Sequence, residues 1–304
     1  MKRTVLLLAF TAVTARAQVT QSWTIHHPPG RPTGVLLVLG GSEGGDGERE
    51  VAASLARQGY LAASLAYFGA PGLPGELREI ELARFQRAIT ELVDSAKVTG
   101  IRIGIVATSK GAEAALLLAT LDERIDAVVA YAPSSVAWSC ICSDSSASSW
   151  SYRQRGVPFI HQARDPRYQP AQGERIRPAV NYLYRLMTAT NYSDAAIKIE
   201  NFRGALMLVA GSDDQLWPSA EMADQIRARR SASSAGRRDE YLIYRGAGHL
   251  IGKADQPPPA STAIAGGRLE TGGTIEANAG AQKESWPRVL RFLSRELAAS
   301  VGSQ

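Results

Sequence analysis

The chain has 304 residues, 45% of them hydrophobic and 21% charged, with a formal charge of +5. That length and composition suit one large domain with a full-sized core and argue against wholesale disorder. Beyond the first residues no segment is long and apolar enough to span a bilayer, which takes roughly 20 apolar residues, so no membrane anchor is expected.

The chain opens on a short basic start, Lys2-Arg3, then an apolar run over 5–10, then Ala15-Arg16-Ala17. This is the order of a secretory leader with a small-residue cleavage site. It predicts a signal peptide over 1–17, cleavage before Gln18, export to the periplasm or medium, and a mature domain over 18–304. Removing Lys2, Arg3 and Arg16 lowers the formal charge to +2. The pairs Arg229-Arg230 and Arg237-Arg238 lie in a Ser-rich stretch without interleaved aromatics. They read as a solvated loop and not as a nucleic-acid surface.

From residue 19 the pattern alternates strand and helix. Residues 19–25 read as an edge strand. Residues 35–39 form a continuous apolar run, as in a strand buried on both faces, and end in the loop Gly40-Gly41-Ser42-Glu43-Gly44-Gly45. Helical spacing follows over 48–58, a strand over 60–66, a Pro/Gly loop over 68–75 and a long amphipathic helix over 77–97. A strand over 101–107, a helix over 110–121 and a strand over 125–131 complete four alternations, which argues a mostly parallel sheet covered by helices. Residues 134–203, rich in Ser, Tyr, Arg and Pro, break the rhythm and read as a lid-like insertion above the C-terminal edge of the sheet, with a helical hint near 179–187. Strands over 205–210 and 241–244 and helices over 219–230 and 287–297 follow. Residues 255–280, with three consecutive prolines, read as a long mobile loop. Cys140 and Cys142 leave a local bridge or two free thiols open. No Cys/His cluster with zinc spacing accompanies them, so no metal is expected.

The chemistry-bearing segment is Ala107-Thr108-Ser109-Lys110-Gly111, a buried strand running into an apolar helix. A Ser at such a turn has its side chain presented over the sheet edge, with the next N–H groups turned toward it. Gly111 fits the G-x-S-x-G pattern, while Ala107 stands where Gly is expected. A nucleophilic Ser needs a base, and His is the usual one. Of four histidines, His249 follows a late strand in Arg245-Gly246-Ala247-Gly248-His249 and satisfies the order Ser, acid, His. His161 lies in the insertion, and His26 and His27 lie upstream of Ser109. The acid is expected after the preceding strand, where spacing admits either Asp213 or Asp214. Backbone donors for an oxyanion are expected from Lys110 and from the stretch Gly41-Ser42-Glu43, with Ser42 and Glu43 as the named candidates. The Lys110 side chain reads as solvent-facing or as a contact for an anionic substrate group. Trp138 and Trp217 are candidate substrate contacts. Trp150, Tyr152 and Phe159 are the other aromatics that could line a pocket or anchor the insertion.

The glycine loop, Leu65-Ala66-Tyr67-Phe68, and Ser109-Lys110-Gly111-Ala112-Glu113 together resemble the acyl-CoA thioesterase / bile acid-CoA:amino acid N-acyltransferase C-terminal domain family. Gly211-Ser212-Asp213-Asp214-Gln215-Leu216-Trp217-Pro218-Ser219 and Gly246-Ala247-Gly248-His249-Leu250-Ile251 are similar to its acid and histidine segments. The resemblance spans about residues 35–295. It implies the α/β-hydrolase fold of dienelactone hydrolase-like proteins, a Ser or Cys nucleophile at position 109, Asp214 rather than Asp213 as the acid, and His249. It implies a small-molecule acyl thioester or ester substrate. A serine mechanism of this kind needs no metal or organic cofactor, so none is expected. The expected leader would take the chain to where coenzyme A is not expected, so a carboxylic ester stands beside the thioester. Acyl transfer to an amine or alcohol, and a silent binding module on the same fold, are the competing readings.

Overall fold

The structure is a computed structural model that describes residues 22–171, 173–233, 236, 238–252, 260–264 and 267–298. The expected leader, 1–17, lies outside the described residues. In chain order the first half holds β1 (Ser22–His26), β2 (Val35–Leu39), α1 (Arg49–Arg57), β3 (Leu61–Ala66), β4 (Ile80–Glu81), α2 (Ala83–Ala96), β5 (Ile103–Thr108), α3 (Lys110–Leu121) and β6 (Ile125–Tyr131). The insertion carries β7 (Trp150–Tyr152), β8 (Arg155–Gly156), β9 (Arg175–Ile176), α4 (Pro178–Thr188) and α5 (Tyr192–Ala195). Then come β10 (Ala205–Gly211), α6 (Ser219–Ser231), β11 (Glu240–Tyr244), β12 (Ser261–Ile264), β13 (Gly267–Glu270) and α7 (Ile275–Leu297).

Among the described residues, seven strands form the central sheet in the order β1-β3-β2-β5-β6-β10-β11. Only β1 runs antiparallel, against β3; the other pairings are parallel. The apolar runs divide by alternation, as a pleated strand buried on both faces requires. Leu37, Leu39, Ile105, Ala107, Val128 and Leu208 join a core with Phe85 of α2, Leu116 of α3 and Ile226 of α6. Leu36, Val38, Val106, Val129 and Met207 face Leu55 of α1 and Phe292 of α7 on the other side. Adjacent strands β2 and β5 send their connections in opposite directions across the sheet. Such a switch point, at the C-terminal ends of the strands, is the preferred ligand position in open α/β sheets.

Four sequence expectations need correction. The helix predicted from 77 begins at Ala83, because the backbone before it is engaged elsewhere: the N–H groups of Glu79, Ile80 and Leu82 donate to the carbonyls of Ser148, Ser149 and Ser151 in the insertion. The stretch 255–280 is not one loop. Beyond 253–259, which lie outside the described residues, it holds the β12–β13 hairpin, to which β9 of the insertion adds a third strand. The final helix starts at Ile275, with Thr274 accepting the Ala277 N–H as its cap, and runs through Pro287. Buried residues on both sides of that proline, Ala281, Ser285, Val289 and Phe292, hold it in one piece despite the lost backbone donor. The fourth concerns the basic pairs. Arg229 and Arg230 end α6, and Arg230 is fully buried against Asp239, with Nη2 to Oδ1 at 2.7 Å, and donates to the Phe202 and Gly204 carbonyls. Arg238 pairs with Glu296, while Arg237 lies outside the described residues.

Candidate active site

Ser109 sits between β5 and α3 with φ 57° and ψ −121°, a left-handed backbone that a side chain adopts only under strain. Two neighbours hold it there. Its N–H donates to the Tyr131 carbonyl of β6 (2.9 Å), and its carbonyl accepts the Glu113 N–H (3.0 Å). Gly111 allows α3 to approach β2: a Cβ there would lie 2.2 Å from the Gly40 carbonyl oxygen. Ala107, where the usual pattern has Gly, is buried in the core and pairs with Leu39 of β2 and Ala130 of β6.

His249 Nε2 lies 2.9 Å from Ser109 Oγ, and His249 Nδ1 lies 2.8 Å from Asp214 Oδ2. Three side chains spread over 140 positions therefore meet at one rim of the sheet. Asp214 follows β10 and is buried. Its Oδ1 accepts the Leu216 and Trp217 N–H groups at 2.9 and 3.2 Å, and its Oδ2 accepts the Ser219 hydroxyl at 2.6 Å as well as the imidazole. Such donors hold a carboxylate in one orientation. Asp213 is exposed and makes the turn, accepting from the Gln215 side chain and the Gly273 N–H. Of the two acids, it is Asp214 whose carboxylate lies against the imidazole. The His249 loop is clamped from behind. Gly248 donates to Asn278 Oδ1 (2.7 Å) and His249 N–H to the Thr271 carbonyl (2.8 Å). A Cβ on Gly248 would stand 2.1 Å from the Gly272 carbonyl oxygen. Sequence reasoning missed Ser219 and Asn278. Ser219 was visible inside the acid segment, but Asn278 lies in a Gly/Ala-rich stretch with no pattern to mark it.

The expected oxyanion donors divide. Helix geometry leaves the Lys110 N–H without an intrahelical acceptor at the start of α3. In the glycine loop, Ser42 and Glu43 are exposed, and it is Gly41 whose backbone abuts the nucleophile: a Cβ there would lie 3.1 Å from Ser109 Cβ and 3.5 Å from its Oγ. The Tyr67 hydroxyl fixes that loop, donating toward the Gly40 and Gly41 carbonyls at 2.7 and 2.9 Å. Burial first, then the nearby acids Glu43, Glu113 and Glu48, hold the phenol well above its ordinary pKa, so it remains a donor. Glu48, beside this loop, has its carboxyl pushed up to about 7, by burial first and by Glu43 next.

The Lys110 side chain is not solvent-facing. It is buried, with Nζ 2.6 Å from Glu113 Oε2 and 5.7 Å from the centre of the Trp150 ring. Desolvation pushes the Lys110 ammonium down and the Glu113 carboxyl up, and each opposes the other's shift. Glu113 Oε1 accepts the Trp138 N–H (3.0 Å) and Trp150 Nε1 (2.8 Å), so the ion pair bolts the insertion to the nucleophile's helix. Trp138 and Trp150 are fully buried and act as anchors of the insertion. Trp217 is buried too, its ring edge-on to His249 at 5.9 Å and its Nε1 donating to the Ala132 carbonyl. Tyr152 and Phe159 pack, partly buried, against the core. His161 is exposed, and His26 lies in β1, at the edge of the sheet. Cys140 and Cys142 are joined by a disulfide.

A parallel sheet wrapped by helices, with a strained serine elbow after a central strand and an acid and a histidine after two later strands, defines an α/β-hydrolase fold. Solved structures share it: a dienelactone hydrolase-like promiscuous phosphotriesterase from metagenomic libraries (TM-score 0.56, 13% identity, 91% of this chain and 93% of that one) and a Pyrococcus furiosus esterase (TM-score 0.54, 13% identity, 92% and 94%). Residues 80–299 match the family model described as BAAT / acyl-CoA thioester hydrolase C terminal, and the chain belongs to that family. Among its curated relatives, the mouse (Mus musculus) acyl-coenzyme A amino acid N-acyltransferase 1 is 30% identical over 90% of this chain and 62% of its own length. The mouse peroxisomal succinyl-coenzyme A thioesterase is 28% identical over 91% and 63%. The chain therefore spans a little under two thirds of the length of these relatives.

Proposed function

We propose that this protein is an exported serine hydrolase that cleaves an acyl ester or thioester through an acyl-enzyme intermediate. The observation that carries the reading is the continuous hydrogen-bonded line from Ser109 Oγ through His249 to Asp214, at 2.9 and 2.8 Å. With Nδ1–H donating to Asp214, Nε2 is left to accept the Ser109 proton. Ser109 Oγ attacks the carbonyl carbon as its proton passes to Nε2. The carbonyl oxygen, now negative, takes the N–H groups of Lys110 and Gly41. The imidazolium returns the proton to the departing alkoxide or thiolate. A water then repeats the sequence on the acyl-Ser109 ester and releases the acid. The Cys140–Cys142 bridge suits the oxidising compartment to which residues 1–17 direct the chain. Rates for the mature protein against p-nitrophenyl esters and acyl thioesters of graded length test the substrate class. Export of a fusion carrying residues 1–20 tests the compartment.

Transfer of the acyl group to an amine is the second reading, favoured by the N-acyltransferase among the relatives. Adding amine acceptors during turnover separates the two. Free acid as the sole product supports hydrolysis, and an amide conjugate supports transfer.

A further inference from the structure

One carboxylate beside the nucleophile has no part in hydrolysis as described: Glu43, which lies against Gly41 as Ser109 does. Glu43 Oε1 accepts the Gly41 N–H at 2.8 Å. Glu43 Oε2 lies 2.8 Å from the point where a Gly41 Cβ would stand, and that same point is 3.5 Å from Ser109 Oγ. The carboxylate and the serine hydroxyl thus flank one residue, and the carboxylate holds that residue's donor. The loop cannot turn the donor away, because Tyr67 pins the carbonyls of Gly40 and Gly41. Glu43 can itself move, because it is exposed, and its neighbour in charge, Glu48, is another acid that gives it no reason to stay.

We propose that Glu43 is the resident anion of the oxyanion site: it occupies the Gly41 N–H while no substrate is bound and swings out before a tetrahedral intermediate uses that donor. Two negative oxygens cannot share one N–H, since the second would gain no hydrogen bond and meet like charge. The carboxylate keeps the donor oriented at rest and slows acylation by the cost of its displacement. Glu43 is therefore a positioning residue. The proposal rests on the serine mechanism above.

The test is the single-turnover rate of phosphonylation of the full chain by a neutral fluorophosphonate, whose phosphoryl oxygen needs the same donors. Wild type is compared with Glu43→Ala and Glu43→Gln, each checked for an unchanged melting transition. Glu43→Ala should react roughly tenfold faster and Glu43→Gln by a smaller factor, because its amide oxygen still accepts weakly. A strut whose loss loosened the loop would slow the reaction instead. An equal or lower rate in a folded variant overturns the proposal and leaves the serine mechanism standing. A folded wild type that forms no Ser109 adduct overturns both. A crystal structure of the phosphonylated wild type gives a check without any variant. The adduct oxygen should sit on the Gly41 N–H with Glu43 turned to solvent. Glu43 still bound to that N–H would refute the claim.

Discussion

Two regions meet at α3 and are held in different ways. On the sheet side, Ser109, Asp214 and His249 stand at strand ends, each fixed by backbone hydrogen bonds from the next strand or loop. On the insertion side, residues 134–203 have short strands and helices that pack apolar side chains such as Ile199 and Phe202 against α3 and are tied to it by one buried carboxylate, Glu113, paired with Lys110. The first region is organised by local conformation; the second adds a desolvated ion pair to its apolar packing and strand pairing. Chemistry should therefore be lost by touching the first, and stability by touching the second.

The sharpest way to break that contrast is at the nucleophile. Ser109→Ala should lower kcat on short p-nitrophenyl esters by about 10^6-fold with an unchanged melting transition. Asp214→Asn should cost about 10^4-fold by leaving the imidazole in the wrong tautomer, again in folded protein. On the insertion side the expected loss moves to stability. Glu113→Gln keeps an acceptor for Trp138 and Trp150 but leaves Lys110 buried without a countercharge. Denaturant titration should show a loss of about 3 kcal/mol, partly recovered in the Lys110→Met, Glu113→Gln double variant.

A subtler effect belongs to the loop between the two regions. Because the Glu48 carboxyl is raised to about 7, the folded state binds its proton more tightly than the unfolded chain does. That group's contribution must fall as pH rises from about 4.5 to 7. Glu48→Gln removes the fall. Its stability relative to wild type should be higher at pH 8 than at pH 5, by about 2 kcal/mol after allowing for its partial exposure. The smallest effect is expected at Asp213→Asn, which is exposed, makes no contact with the imidazole and keeps an oxygen to accept the Gly273 N–H, and which should change kcat by no more than roughly threefold.

The same division governs what the sequence could tell. Strands β2, β5, β6 and β10 are legible because burial on both faces demands unbroken apolar runs. The elbow is legible because few residues tolerate its backbone. His249 emerged from only four histidines by chain order. Asp214 needed the resemblance, since Asp213 has the same spacing, and it is the bonds to His249, Ser219, Leu216 and Trp217 that tell them apart. The start of α2 was misread because Ile80 fits a helical stripe, while its N–H is engaged by Ser149 about seventy residues away. Arg230 and Lys110 looked solvated because composition is silent about the distant rings, Phe202 and Trp150, that cover them, while their partner carboxylates Asp239 and Glu113 lie close in sequence. The β12–β13 hairpin was masked by a Pro/Gly-rich composition that ordinarily marks a loop.

The central claim is that Ser109 carries the acyl group during turnover. Rapid acid quench of the mature protein turning over a p-nitrophenyl ester, followed by peptide mass mapping, tests it directly. The account predicts one acyl ester, on Ser109, absent from Ser109→Ala. Steady turnover with no acylated peptide, or with the acyl group on another residue, would contradict it.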